Sequence, residues 1–416
     1  MKSMRKLIAV LALSASLAPI AARADTQADL LTRGQYLTRA ADCEACHTAP
    51  GGQAFAGGRA FVLPFGVLYS PNITPNPATG IAGYSDDDWI RMLHKGIGRG
   101  GKHLYPAMPY PSFTGISADD ALAIKAYLMS LPPVAANVPA NQIKFPFNQR
   151  WGMFFWNLLN NPDARFQPDP GKSVEYNRGA YLVENLGHCG ECHTPRNFMM
   201  AVKNSQQLGG TVEGGWYAYN LTSDPVSGLG GWPDAQLEEY LSTGHADGRG
   251  PASGPMAEAV EDSLRYLSPA DIHAIVVYLR DVPARSGGPQ IVATGGTPLM
   301  TDNMLGERLF QDACEGCHLP NGEGRQSPWA SLRGAQSAGD PDGTNIIQVL
   351  AQGTKIETGQ GTMFMHPFTS AYTDEELAAL SNYVISQYGF RQGHVTPSQI
   401  AAQRHPGSDK KAAPSS

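Results

Sequence analysis

Cys-x-x-Cys-His occurs three times, at Cys43-Glu-Ala-Cys46-His47, Cys189-Gly-Glu-Cys192-His193 and Cys314-Glu-Gly-Cys317-His318, and these copies use all six cysteines of the 416-residue chain. Cysteines three apart lie near one face of a helical turn, so both sulfurs can form thioethers to one haem edge while the next residue offers an imidazole to iron. A zinc site would need two such pairs close together, and a thioredoxin-like redox motif would need a βαβ setting and no obligatory histidine. A disulfide framework fits less well still, because every cysteine sits in the same five-residue frame. The pattern predicts three covalently bound haems c, held by Cys43, Cys46, Cys189, Cys192, Cys314 and Cys317, with His47, His193 and His318 as axial ligands to iron.

The N-terminus carries Lys2, Arg5 and Lys6, then an apolar run from Leu7 to Ile20, then Ala22-Arg23-Ala24. This is the pattern of a secretory signal peptide over residues 1–24, which places the mature chain in the periplasm, where c-type attachment is completed. No later stretch approaches eighteen uninterrupted apolar residues, so no transmembrane helix is expected in the mature chain. The leader removes four cations and no acid, which moves the formal net charge from −6 to −10. That balance argues against nucleic acid and against electrostatic attachment to anionic lipid, and favours a protein partner or an apolar, peripheral membrane contact.

The motifs head internal repeats. Arg33-Gly34-Gln35-Tyr36-Leu37 precedes the first motif as Arg178-Gly179-Ala180-Tyr181-Leu182 precedes the second, and Asn72-Ile73-Thr74 answers to Asn220-Leu221-Thr222. The third copy is more divergent. Each repeat closes with an apolar helical spacing behind a hydroxyl cap and an acid three residues on: Ser117 with Asp120, Ser268 with Asp271, Thr373 with Glu376. The boundaries that follow are a first domain over 25–131, a proline-dotted linker with an aromatic segment over 132–174, a second domain over 175–281, a linker over 282–304, a third domain over 305–392 and a disordered polar tail over 393–416.

An opening helix running into Cys-x-x-Cys-His, glycine-rich loops and a closing helix with Tyr127, Tyr278 or Tyr383 resemble the class I cytochrome c fold. The resemblance implies an all-α chain of three tandem class I cytochrome c domains with long ordered loops. Gly306 and Phe310 fit the glycine-plus-aromatic helix crossing of that fold, while the first two repeats offer the tighter Gly34/Tyr36 and Gly179/Tyr181. It also implies a methionine as the second axial ligand of each iron, a thioether that raises the potential. The positions that match are Met108 in Tyr105-Pro-Ala-Met-Pro-Tyr110, Met256 in Gly254-Pro-Met256, and Met365 before His366-Pro367-Phe368, with Met363 two residues away. His94, His103, His188, His245 and His273 are read as surface or supporting groups, and Arg59, Arg91, Arg196 and Arg249 as solvated side chains.

Taken with Pro71-Asn-Ile-Thr-Pro75, the Tyr105 to Phe113 run, His188-Cys189-Gly190 with Thr194-Pro195-Arg196, and Gly254-Pro-Met-Ala-Glu258, the mature chain resembles the triheme cytochrome c subunits of bacterial membrane-bound alcohol, gluconate and FAD-dependent sugar dehydrogenases. The resemblance implies a non-catalytic electron-transfer subunit. A separate subunit with PQQ, FAD or a molybdenum cofactor would oxidise an alcohol, aldehyde or sugar acid, and electrons would leave for ubiquinone or a terminal oxidase at the periplasmic face of the inner membrane. The alternative is a free periplasmic multihaem electron carrier. Trp151 to Leu159 is either a linker helix packed between the first two domains or a contact with membrane or quinone.

Overall fold

The computed structural model describes residues 26–404 apart from 294, 326, 359 and 360, so the expected leader and the end of the tail lie outside the described residues. One pairing recurs three times: Gln27–Ala40 packs on Ala118–Ser130, Val174–Tyr181 on Pro269–Asp281, and Met304–Ala313 on Asp374–Tyr388. Ser117, Ser268 and Thr373 cap the closing helices by accepting from the amides of Asp120, Asp271 and Glu376, which satisfies a first-turn donor.

Glycine sets how closely each pair approaches. A Cβ at Gly34 would lie 2.0 Å from the Ala123 carbonyl oxygen, one at Gly179 1.9 Å from that of Ala274, and one at Gly306 2.4 Å from that of Ala379. In all three it would also meet the Cβ of the tyrosine four residues further along, Tyr127, Tyr278 or Tyr383, within 3 Å. The crossing is the same in each unit, and Gly34 and Gly179 are its glycines.

Tyr36 and Tyr181 do something else. The Tyr36 hydroxyl donates to Asp271 Oδ2 at 2.5 Å, and the Tyr181 hydroxyl donates to Asp120 Oδ2 at 2.6 Å, so each opening helix reaches the closing helix of the other unit. Arg33 holds Asp120 at 2.7 Å and Arg178 holds Asp271 at 2.7 Å, each within its own unit. The backbone amides of Ser117 and Ser268 donate to Tyr181 and Tyr36 in turn. The repeated Arg-Gly-x-Tyr thus encodes a reciprocal, pseudo-twofold lock between the first two units. Burial raises the pKa of Asp271, but hydrogen bonds from Arg178 and Tyr36 and the charge of Arg178 outweigh it and leave the carboxyl below its ordinary value. A carboxylate depressed in this way stabilises the fold above its unfolded pKa, and that contribution fades as pH falls through the folded value. Tyr36→Phe or Tyr181→Phe should each cost about 1–2 kcal/mol in denaturant unfolding of the holoprotein near neutral pH. For Tyr36→Phe the deficit should shrink on acidification; an unchanged midpoint would remove the lock from the account.

The apolar interior follows the same division. Leu37, Ile124 and Leu128 join Leu182, Leu186, Ile272 and Leu279 in one continuous core, whereas Leu309, Phe310, Ile347, Leu377 and Ile385 form another. The segment expected as the first linker is built into the fold: Gln142–Ile143 adds a strand to the Ala60–Leu63 and Gly66–Tyr69 hairpin, and Gly152–Asn160 is a helix. Shorter antiparallel hairpins, Thr211–Glu213 with Trp216–Ala218 and Thr354–Thr358 with Gly361–Met365, accompany the helices of the other units.

The tail expected to be disordered from residue 393 is a correction. Pro397–Arg404 is a helix whose Ile400 is buried, and Arg404 contacts Asp374 and the carbonyls of Thr369 and Tyr372. Asn382 adds a paired exchange with the backbone of Val395, both bonds at 2.9 Å. A polar composition hid two apolar anchors, Val395 and Ile400, and a cation aimed at free carbonyls.

Candidate functional site

Each motif forms one helical turn behind its opening helix, over Cys43–His47, Gly190–His193 and Glu315–His318. The entry to the first two is a residue in the left-handed region, Asp42 at φ 51° and His188 at φ 38°. All six cysteines are unpaired. Burial pushes up the thiols of Cys43, Cys46, Cys189, Cys192 and Cys314, to about 12 at Cys46 and Cys189 and about 11 at Cys192 and Cys314. A reactive redox dithiol has a depressed pKa, and none of these five thiols has one.

The three motif histidines share one geometry. Their Nδ1 atoms lie 2.7 Å from Pro71 O, 2.6 Å from Tyr219 O and 2.7 Å from Ala330 O respectively. A carbonyl can only accept, so Nδ1 carries the proton and Nε2 keeps its lone pair for a metal. Burial lowers the pKa of all three rings, and the bond to the carbonyl opposes this without reversing it, which keeps the imidazoles neutral. Pro71 and Tyr219 occupy matching places just before Asn72-Ile-Thr74 and Asn220-Leu-Thr222. In both, the asparagine Oδ1 accepts from the amide and hydroxyl of the threonine two residues on. The Asn-x-Thr repeat visible in the sequence is therefore the turn that presents the orienting carbonyl.

A second repeated contact has no sequence signature. The third residue of each motif lends its carbonyl to an arginine: Ala45 O to Arg59 at 2.8 Å, Glu191 O to Arg196 at 2.8 Å, and Gly316 O to Arg325 at 2.6 Å. Arg59 and Arg196 are thus braces for the attachment turns, and Arg325 is a residue that sequence reasoning missed. The three arginines stand 12, 3 and 7 residues after the motif histidines, so no common spacing could reveal them.

Among the methionines, Met108 packs against the same core as Cys43, and Met365 against the same core as Cys314. Met256 packs instead beside Ala252, Ala257 and Ile356, in a cluster that also holds Met363 and Trp329. Met363 Sδ accepts from Ser327 Oγ at 3.7 Å. Of the other histidines, His94 bonds Ile116 O, His188 packs edge-on to Phe113, His245 lies against Trp329, and His273 pairs with Glu238. Arg91 pairs with Asp88, and Arg249 lies over the Trp232 ring.

The donor set fits covalent haem: two unpaired sulfurs and a neutral, correctly protonated imidazole on each turn. Comparison with known proteins agrees. The sequence profile of cytochrome c matches residues 31–132 and 304–387. The fructose dehydrogenase cytochrome subunit of Gluconobacter japonicus is 37% identical over 90% of this chain and 82% of its own length. The gluconate 2-dehydrogenase cytochrome c subunit of Pantoea cypripedii is 37% identical over 95% of this chain and 94% of its own. The cytochrome c subunit of the quinone alcohol dehydrogenase of Gluconobacter oxydans is 34% identical over 98% and 89%. The chain belongs to the cytochrome c family, in the branch that contains these dehydrogenase cytochrome subunits.

Proposed function

We propose that the chain is the triheme electron-transfer subunit of a periplasmic dehydrogenase complex, taking electrons from a catalytic subunit of PQQ, FAD or molybdenum type and delivering them to ubiquinone or a terminal oxidase. The observation that carries this reading is the threefold Nδ1-to-carbonyl bond, which prepares three histidines alike as metal ligands. Bound haem supplies the one-electron iron couple. The protein's part is to fix each attachment turn with an arginine, orient each imidazole, and hold the first two units in one body through the Tyr–Asp exchange. Each unit is read as one cytochrome c domain. The relatives' roles as subunits of dehydrogenases support a catalytic partner here.

The test is a pyridine haemochrome assay with protein quantitation, alongside co-purification from native membranes. Three haems per chain and an associated flavoprotein, quinoprotein or molybdoprotein are expected. Two haems or fewer in a matured sample, or a chain that purifies alone from gently solubilised membranes, would reject the count or the partnership.

We assign the second axial positions to Met108, Met256 and Met365. Each Met→Ala variant should lose a share of the methionine-to-iron absorption at the red edge and open one iron to carbon monoxide, with its potential lowered. The third unit holds two candidates on one strand face. If Met363→Ala removes the band and Met365→Ala leaves it intact, Met363 is the ligand.

A further inference from the structure

The turn that orients His193 is held from outside its own unit. Asn345, in the first turn of the third unit's Thr344–Gln352 helix, is buried and lays its side-chain amide along the edge of the Trp216–Ala218 strand. Its Oδ1 accepts from the Tyr217 amide at 2.7 Å, and its Nδ2 donates to the Tyr217 carbonyl at 3.0 Å and to the Tyr219 hydroxyl at 3.2 Å. Tyr219 is the residue whose carbonyl accepts from His193 Nδ1 at 2.6 Å. A side chain of the third unit thus grips the short strand whose continuation fixes the second unit's imidazole.

The first unit shows what this contact replaces. There the strand leading to the Pro71 carbonyl gains a third strand, Gln142–Ile143, and Asn141 just ahead of it accepts from the Tyr69 amide at 2.9 Å. Tyr69 and Tyr217 both stand three residues before the asparagine of the Asn-x-Thr turn, so Asn141 and Asn345 serve equivalent amides. The second unit's hairpin has two strands among the described residues, and Asn345 completes its edge across the unit boundary, with Gln348 donating to Gly215 O at 2.9 Å. The grip is returned: His245 of the second unit lies against Trp329, the neighbour of Ala330, whose carbonyl accepts from His318. A carbonyl that accepts from a ligating imidazole makes the ring more basic, which favours ferric iron and lowers the potential. Whatever fixes that carbonyl therefore acts on the iron.

We infer that Asn345 is a positioning residue for the second haem: through Tyr217 and Tyr219 the third unit sets the His193 hydrogen bond, and with it the reduction potential of the second unit's iron. The inference rests on the proposed reading of one haem per unit. Without the Asn345 side chain the Tyr217 amide and carbonyl are left unpaired, the strand shifts to find new partners, and the Tyr219 carbonyl moves away from Nδ1, so the potential rises.

The test is spectropotentiometric titration of the purified full-length holocytochrome, with haem content measured on every sample. Asn345→Ala should keep all its haems and raise one one-electron wave, favouring reduction by about ten-fold, or about 59 mV, while the other waves stay in place. Asn141→Ala should raise a different wave, and by less, because Asn141 is exposed and the Gln142–Ile143 strand remains. Proton NMR with isotope-labelled histidine should show a single Nδ1 proton exchanging faster in Asn345→Ala. Should that variant lose haem, Asn345→Ser, which keeps one polar atom against the strand edge, must still move the same wave upward. A fully loaded Asn345 variant whose waves all match wild type overturns the inference. So does a uniform shift of every wave, which marks a general loosening, and so does movement of one and the same wave by the Asn141 and Asn345 variants. Loss of haem from both Asn345 variants also overturns it, since the residue would then serve folding and not tuning. A wild-type protein with fewer than three haems would instead reject the haem reading on which the inference rests.

Discussion

Replacing Cys314 and Cys317 together with Ala is expected to lower the haem content of the matured chain by one, from the proposed three to two, while leaving the first two units folded. Both thioethers of one haem would be lost, and His318 alone cannot retain it against dissociation. The third unit has its own core of Leu309, Phe310, Ile347, Leu377 and Ile385, so the damage has little route to the rest of the chain. The pyridine haemochrome would fall by a third, and the acid-sensitive Tyr36 contribution to unfolding would persist. The same exchange at Cys189 and Cys192 should behave differently. Val174–Tyr181 and Pro269–Asp281 share their core with the first unit and exchange Tyr36 and Tyr181 with it, so the loss of the second haem should also destabilise the first. Equal, fully local losses from both double variants would contradict the division of the interior into one double core and one single core.

The sequence was most legible where covalent chemistry demands a fixed spacing. Cys-x-x-Cys-His needs two sulfurs and an imidazole on one turn, and no other arrangement of those residue types at that interval does the same work. Helix caps were nearly as legible, because Ser117, Ser268 and Thr373 act on amides three residues away. Contacts made across the fold were not. Tyr36 and Tyr181 looked like variants of the helix crossing, since nothing local in Gly-x-Tyr says that the ring crosses to a different unit. Arg59, Arg196 and Arg325 converge on equivalent carbonyls from three different loop lengths, and loops of different length leave no periodicity to detect. The tail shows the converse failure: composition over 393–416 averaged away Val395, Ile400 and Arg404, which dock its described part.

The largest stability effect is expected from a single methyl group. Gly179→Ala would place a Cβ 1.9 Å from the Ala274 carbonyl oxygen and 2.8 Å from the Tyr278 Cβ, both on the Pro269–Asp281 helix. Neither atom is the end of a flexible side chain, so the two helices must separate. That separation loosens Leu182, Leu186, Ile272 and Ile275, which belong to the core shared by two units, and it draws Tyr36 away from Asp271. Overpacking of a rigid contact typically costs about 1–3 kcal/mol, and the coupled loss of the lock should bring the total to about 3 kcal/mol or more. Helix propensity pulls the other way, since Ala is preferred over Gly inside a helix by about 1 kcal/mol, so a net loss can only come from the crossing. Gly316→Ala, where a Cβ meets nothing within 4 Å, is the matched control within a haem-attachment turn and should be close to neutral. Denaturant midpoints of the two holoproteins decide the matter: a Gly179→Ala protein within about 0.5 kcal/mol of wild type would show that the helices have room to part, and that their close approach is not what holds the first two units together.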